Sequence, residues 1–550
     1  MLHWGLILLF FLPVIESFSR EVALLFLFLG ALVASYPVFW KRKIAFNSDE
    51  ILFLIFIFFG IVSTIFSIST YRSLTELSRY LAYFLIFISI RNDQIIGNRF
   101  RKFFSGSILV NSLVLSILFF AYFLFSSYLP KVTSGMNLFY PVFGYNRIAN
   151  LLIIAIPLLI SQRRLWLLAF FSLVLIGSVS RGSLLALSIG LVISLVIPLF
   201  RKSIFYKASI FYFVITMVIL TSVFISSHFI LTKREGNLLY SGLYKPVTNE
   251  KRVEYFRQAI YGFTDTPLIG SGLDTFRYIS QRLQKSPANW TWYVHNHFLQ
   301  LFSDTGFLGG SVFILLIVLL MLNAYEEVKS NRNNLNRGIF LALIVSIIHS
   351  LIDFDWQFIS IFLYIFIGFA LLSSKYESKK QINIKPLYIL AIVLFITTFI
   401  LGREYRAIEN AAIIDGANSD INRKLGEEYR QEKKYQQAHI YFQKAILHNP
   451  LDLGEIIKGD YLLYLKEAEL ALQNNDYDGA WQKLNYLLKV YPLFHKKYGS
   501  GLLRRDNLLS YIRYMSKAVG DNPLRIWEIK EITGYLAINY PLTRKIHLLF

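Results

Sequence analysis

From residue 295 the chain reads His295-Asn296-His297-Phe298-Leu299-Gln300-Leu301-Phe302-Ser303-Asp304-Thr305-Gly306-Phe307-Leu308-Gly309-Gly310. A histidine at the mouth of an apolar helix can exchange protons with water, and an imidazole titrates near neutrality, which suits general base work. The competing reading is an interfacial histidine, with glycines that let helices approach closely. On the histidine alone that reading leads. Arg181 shifts the balance. It stands in Ser180-Arg181-Gly182-Ser183, a short turn between two apolar segments, where charge is expensive and usually functional. The alternative for Arg181 is a snorkelling anchor. Arg252 and Arg257 share the amphipathic stretch Lys251-Arg252-Val253-Glu254-Tyr255-Phe256-Arg257. Guanidiniums converging beside a histidine would suit a diphosphate, because their planar forks bind phosphate oxygens bidentately and stay charged. Asp353 and Asp355 follow His349 by about one helical turn and could orient the histidine or an acceptor hydroxyl, or cap a re-entrant turn. Glu76 and Arg79, spaced i and i+3, read as a structural ion pair. No third ligand stands at a metal-site spacing from His295 and His297, so no metal site is expected. The chain has no cysteine, which excludes disulfides, thiolate metal sites and cysteine nucleophiles.

These residues need elements to hold them. Of the 550 residues, 55% are hydrophobic and only 17% charged, against about a quarter charged in soluble domains. The chain is therefore read as a membrane protein. Windows long enough to cross about 30 Å of hydrocarbon fall at 2–17, 22–39, 51–69, 73–90, 103–127, 148–162, 165–180, 183–200, 208–231, 297–322, 338–354, 356–373 and 386–402, thirteen in all. The first lacks the basic leader and cleavage site of a signal peptide and is kept as a span. Lys41, Arg42 and Lys43 open a series of even-numbered loops rich in Lys and Arg, whereas the short odd-numbered loops hold only Arg20, Arg72, Lys131, Arg147 and Arg181. The positive-inside rule then places the N-terminus in the cytoplasm and the C-terminus outside. It also explains much of the formal +21 charge without nucleic acid.

The expected organisation is an all-α polytopic bundle. An N-terminal transmembrane part covers 1–231, a long extracytoplasmic loop 232–296, a second transmembrane part 297–402 and an extracytoplasmic helical tail 403–550. Loops as long as 232–296 without obvious regular structure are usually functional. In the tail, Leu425, Gly426, Tyr429, Ala438, Phe442, Ala445 and Pro450 match the tetratricopeptide spacing that pairs two antiparallel helices. A weaker unit ends with Ala480, Leu484, Leu487 and Pro492.

Taken together these motifs resemble the O-antigen ligase and polymerase superfamily, which includes Wzy-type polymerases and protein O-oligosaccharyltransferases. His295, Asn296, nine residues and then Gly306 and Gly309 match the ligase signature. Ser180-Arg181-Gly182 opening a helix, Arg252 heading an aromatic segment, and Pro267-Leu268-Ile269-Gly270-Ser271-Gly272 between Arg252 and His295 look similar in order and sidedness. The resemblance covers roughly residues 50–375. It implies a glycosyltransferase of the GT-C type, independent of metals and cofactors, in a bacterial inner membrane. Such an enzyme moves a glycan from a polyprenyl-diphosphate donor to a lipid, glycan or protein hydroxyl on the extracytoplasmic face. In that role His295 would be the general base, with Arg181 and Arg252 on the diphosphate. Asn296 would follow the base, Asp353 would take the family's polar position, and His349 and His297 would be reserves for the base.

The superfamily leaves protein O-oligosaccharyltransfer as one alternative. A non-catalytic transporter or assembly scaffold is another, set behind because neither internal repeats nor broken midplane helices are evident. Tetratricopeptide arrays present concave protein-binding faces, so a protein partner on the tail, or a lid over the outer loop, is a further expectation.

Overall fold

The computed structural model describes residues 2–40, 44–92, 98–125, 144–178, 180–200, 251–286, 289–331, 333–373, 381–382, 385–452 and 455–490, with 205, 207, 210, 514–515, 517–519 and 524–527. The chain divides into two compact units, one of residues 1–276 and 292–399, the other of 277–291 and 400–550.

The first unit is an all-α membrane bundle. Its helices are α1 (Leu2–Leu8), α2 (Leu12–Phe18), α3 (Arg20–Trp40), α4 (Ser48–Ile65), α5 (Thr70–Asn92), α6 (Asn98–Phe125), α7 (Gly144–Gln162), α8 (Leu165–Gly177), α9 (Arg181–Val196), α10 (Arg252–Asp265), α11 (Phe276–Leu283), α12 (His297–Ser330), α13 (Asn334–Ser350), α14 (Ile359–Leu371) and α15 (Lys385–Glu404). Of α11 only Phe276 belongs to this unit, and the rest of that helix, with the end of α15, belongs to the second. Six helices among the described residues are long and apolar enough to cross a membrane, and five shorter apolar ones accompany them. The expected span 208–231 lies, apart from Ile210, outside the described residues.

Local chemistry explains where the helices begin and break. Asn47 and Glu50 close a reciprocal capping box on α4, which satisfies two of its free amides. The expected first span is two short helices, because Pro13 occupies the first turn of α2, where its missing N–H is tolerated, and interrupts the run from α1. The break lets α2 present Glu16, whose carboxylate accepts from the Ile359 and Ser360 amides at 2.7 and 2.9 Å and from Ser360 Oγ at 2.6 Å. Glu16 thus caps α14 and pairs with Arg147 of α7, so both buried charges are matched.

Helix α5 is the most enclosed long span, 94% buried. It carries the Glu76–Arg79 pair, and Arg79 also donates to the Gln357 carbonyl at 2.6 Å. Around it Phe53, Phe56, Tyr80, Tyr83, Phe313, Trp356, Phe362 and Phe366 interlock. Charge pairs between elements join residues that the alternating loops assign to one side. Arg72 meets Asp274, whereas Arg91 meets Asp49 and Glu50, and Arg101 meets Glu327, on the other. The strand pairing among the described residues, Ile44–Ala45 with Gln381–Ile382 antiparallel, likewise joins two loops of one side.

The second unit adds α16 (Ile408–Ile414), α17 (Ser419–Gln431), α18 (Tyr435–His448), α19 (Ile456–Gln473) and α20 (Tyr477–Val490). Leu425, Gly426, Ala438, Phe442 and Ala445 are buried. A Cβ on Gly426 would stand 3.2 Å from the Phe442 ring, so glycine is what lets α17 and α18 close. Ala480, Leu484 and Leu487 are buried in a second cluster, and Pro492 lies outside the described residues. Residues 277–291, read from sequence as part of one long loop, cluster with this unit. Tyr278 donates to Asp415 at 2.6 Å and Gln284 to Asn449 at 2.7 Å.

Candidate functional site

The loop 232–296 is not structureless where it is described, because α10 and α11 occupy much of it. Arg252 and Tyr255 are three residues apart on α10 and so share a face. Both reach the residues that the sequence singles out. Arg252 Nη2 stands 3.8 Å from Asp353 Oδ2, and the Tyr255 ring stacks on His295 at 5.7 Å with planes 17° apart. Arg257 turns to Glu254 instead and lies over Tyr261, so the second guanidinium of that stretch forms a local pair.

His295 precedes α12 with φ +60, a left-handed conformation that non-glycine residues seldom adopt and that clusters at functional positions. The next residue returns to extended backbone and caps the helix. Asn296 Oδ1 accepts from Leu299 N at 2.9 Å. Its Nδ2 donates to the Leu351 carbonyl at 3.0 Å, which ties the histidine to the turn after α13. In that turn the amides of Ile352 and Asp353 both donate to His349 O at 2.9 Å. Asp353 is thereby aimed at His295, with Oδ1 3.0 Å from Nδ1, and Phe354 sets its ring edge-on to the imidazole at 4.7 Å.

Asp353 is buried. Burial by itself would raise its carboxyl, but the hydrogen bond and charge of His295, with His349 and Arg252 nearby, outweigh it and hold the group below its ordinary range. An ionised carboxylate only accepts, so His295 Nδ1 donates to it, and in the neutral imidazole the lone pair then falls on Nε2. His295 itself is only part-buried.

The other histidines sit elsewhere. His297, a reserve for the base in the sequence reading, is 1% exposed and walled in by Phe298, Phe313, Trp356 and Phe362. It turns inward with the first turn of α12. His349 is fully buried, 3.3 Å from Asp355 through Nδ1 and 3.2 Å from Ser183 Oγ through Nε2. Asp355 therefore serves His349 and not His295. Arg181 is the exposed first residue of α9, beside the Gly182 and Ser183 that meet His349. No group of three or more His, Cys, Asp or Glu among the described residues could hold a metal ion.

Sequence reasoning does not find Tyr255, Phe354 or Ser183. Tyr255 had a usable signal, since it stands one helical turn from Arg252. Phe354 and Ser183 are ordinary residues until the turn brings them to an imidazole.

The bundle and this cluster define a multi-pass membrane protein with a His–Asp–Arg site at one end of its helices. Residues 166–314 match the family model described as O-antigen ligase. The match contains Arg181, Arg252, His295, Gly306 and Gly309, and supports the O-antigen ligase superfamily with a ligase- or polymerase-type glycosyltransferase function. The family implies a lipid-linked glycan donor and a membrane setting. No curated protein matches the chain.

Proposed function

We propose that the protein is a glycan ligase or polymerase that uses a polyprenyl-diphosphate donor on the extracytoplasmic face of an inner membrane. The observation that carries this reading is Asp353 between His295 at 3.0 Å and Arg252 at 3.8 Å, a base and a cation held by one carboxylate. In the proposed step His295 Nε2 takes the proton of an acceptor hydroxyl. The hydroxyl oxygen bonds to the anomeric carbon with inversion as the bond to the diphosphate oxygen breaks. The leaving polyprenyl diphosphate keeps the bonding pair, and Arg252 and Arg181 stabilise its charge, the electrostatic contribution expected to dominate such transfers. No step is assigned to a metal. The N-terminus would be cytoplasmic, with Arg20, Arg72, Asp274, Arg252 and His295 on the outer side.

The helical tail is proposed as a tetratricopeptide-like array that recruits a protein, either an acceptor or a partner in glycan assembly. Reconstituted protein supplied with a lipid-linked glycan should release polyprenyl diphosphate and form a product of inverted anomeric configuration. Retained configuration would refute the direct displacement. Protein O-oligosaccharyltransfer is the second reading, favoured by the large tail. Deletion of the gene should then remove glycan from proteins and leave lipid-attached or polymeric glycan intact.

A further inference from the structure

The buried cluster behind the site is not used by the proposed chemistry. Its centre is His349, fully buried at the end of α13. Three features converge on it. Ser183 Oγ is 3.2 Å from Nε2, and the same hydroxyl donates to Asn150 Oδ1 and stands beside Ser180 Oγ, both at 2.9 Å. A Cβ on Gly182 would stand 3.3 Å from Nε2 and 3.6 Å from the Ile352 side chain, so the start of α9 lies directly against the ring. On the opposite side Asp355 is 3.3 Å from Nδ1. A buried carboxylate in such a place is costly unless it is paired, and the imidazole stands within ion-pair range of it without the alignment of a hydrogen bond.

His349 is also joined by its backbone to the site, because its carbonyl accepts from the Ile352 and Asp353 amides at 2.9 Å. We infer that His349 is a positioning residue that fixes the start of α9, and so Arg181, in register with Asp353 and His295. It would act through Arg181 and not as a base. The motif Ser180-Arg181-Gly182-Ser183 gains a reason for each member: Ser180 and Ser183 build the hydroxyl pair, Gly182 permits the approach, and Arg181 is the cargo so placed. This inference rests on the proposal that Arg181 binds the donor diphosphate.

The test is a double-mutant cycle on the full chain in nanodiscs, with farnesyl diphosphate as the probe and farnesol as the control. Arg181→Ala should weaken farnesyl diphosphate about tenfold without changing farnesol, since one lost charge-assisted contact of about 1.4 kcal/mol is a factor of ten. His349→Gln should weaken it by a similar factor. The double variant should be no worse than Arg181→Ala alone, within about twofold. Losses that multiply in the double variant would overturn the inference and assign His349 a general structural role. An Arg181→Ala that binds farnesyl diphosphate as tightly as the parent would instead overturn the donor role of Arg181. If His349→Gln is not recovered folded, Gly182→Ala, which presses a methyl onto the same ring, should show the same non-additive loss with Arg181→Ala. Unchanged or multiplicative binding there would count against the inference.

Discussion

At the scale of residues, Asp353 fixes both the tautomer of His295 and the place of a guanidinium. Asp353→Asn, which offers an amide in place of an acceptor-only carboxylate, should lower transfer about a hundredfold or more, in the range of general base contributions. The check is initial rate against expression-matched parent, with KM for donor measured in parallel. The pH dependence has a defined sign. Asp353 is held below its ordinary range, so its ionised form stabilises the site above about pH 4, the unfolded carboxyl value. That contribution is lost as pH falls through the depressed folded value. Parent protein should therefore lose melting temperature on acidification to about pH 3, and Asp353→Asn should lose less; equal losses would remove Asp353 from the dyad. His295, Arg252 and Asp353 were legible in the sequence because they fall on ordered motifs that resemble a known superfamily. Tyr255 and Phe354 were not, because an aromatic ring is common in a chain of this composition and only the fold shows which ring meets the imidazole.

At the scale of elements, the Gly306 of the histidine motif has a structural task. It takes φ +67 and ψ −169 within α12, a conformation open almost only to glycine. The break frees the carbonyls of Ser303 and Asp304, which accept from Ser271 N at 3.1 Å and Gly272 N at 2.9 Å, while Phe307 N donates to Pro267 O at 2.7 Å. The Pro267–Gly272 segment is thus clasped into the broken helix, and Ser63 Oγ donates to the same Asp304 carbonyl at 2.7 Å. Gly270, at φ +74, lies directly against Asp304 backbone. Gly306→Ala should cost about 1–3 kcal/mol in strain, seen as a melting temperature several degrees lower and reduced transfer; a melt like the parent's would mean the break is not required. The spacing of the two motifs was readable in the sequence, but their mutual clasp was not, since it depends on non-local hydrogen bonds between segments about thirty residues apart. The division of the first span at Pro13 was likewise hidden, because hydropathy counts an apolar proline region as continuous.

At the scale of the whole molecule, composition and loop charge made the all-α membrane class legible, whereas the boundary near residues 277–291 was obscured because a polar loop and a polar tail look alike in composition. In the second unit Phe442 is fully buried against Gly426 and Gly459, and Phe442→Ala should destabilise α17–α19 by about 3–5 kcal/mol, read as faster hydrogen exchange there in the full chain. His439 lies between Asp460 and Glu467, each at 3.1 Å. Its partial burial opposes protonation, but those two hydrogen bonds prevail and raise the imidazole to about 9. A raised folded value means the contribution is complete below about pH 6.5 and is lost as pH rises through about 9. Hydrogen exchange in α18 and α19 should therefore quicken between pH 7 and 10 beyond its intrinsic rise, and His439→Gln should remove that excess.

The central claim, that His295 is the base of a glycan transfer, is tested most directly by His295→Ala in nanodiscs with a lipid-linked glycan donor and its acceptor. The variant should insert, bind donor within a few-fold of parent, and transfer at least about a hundredfold more slowly. Transfer at the parental rate would contradict the assignment.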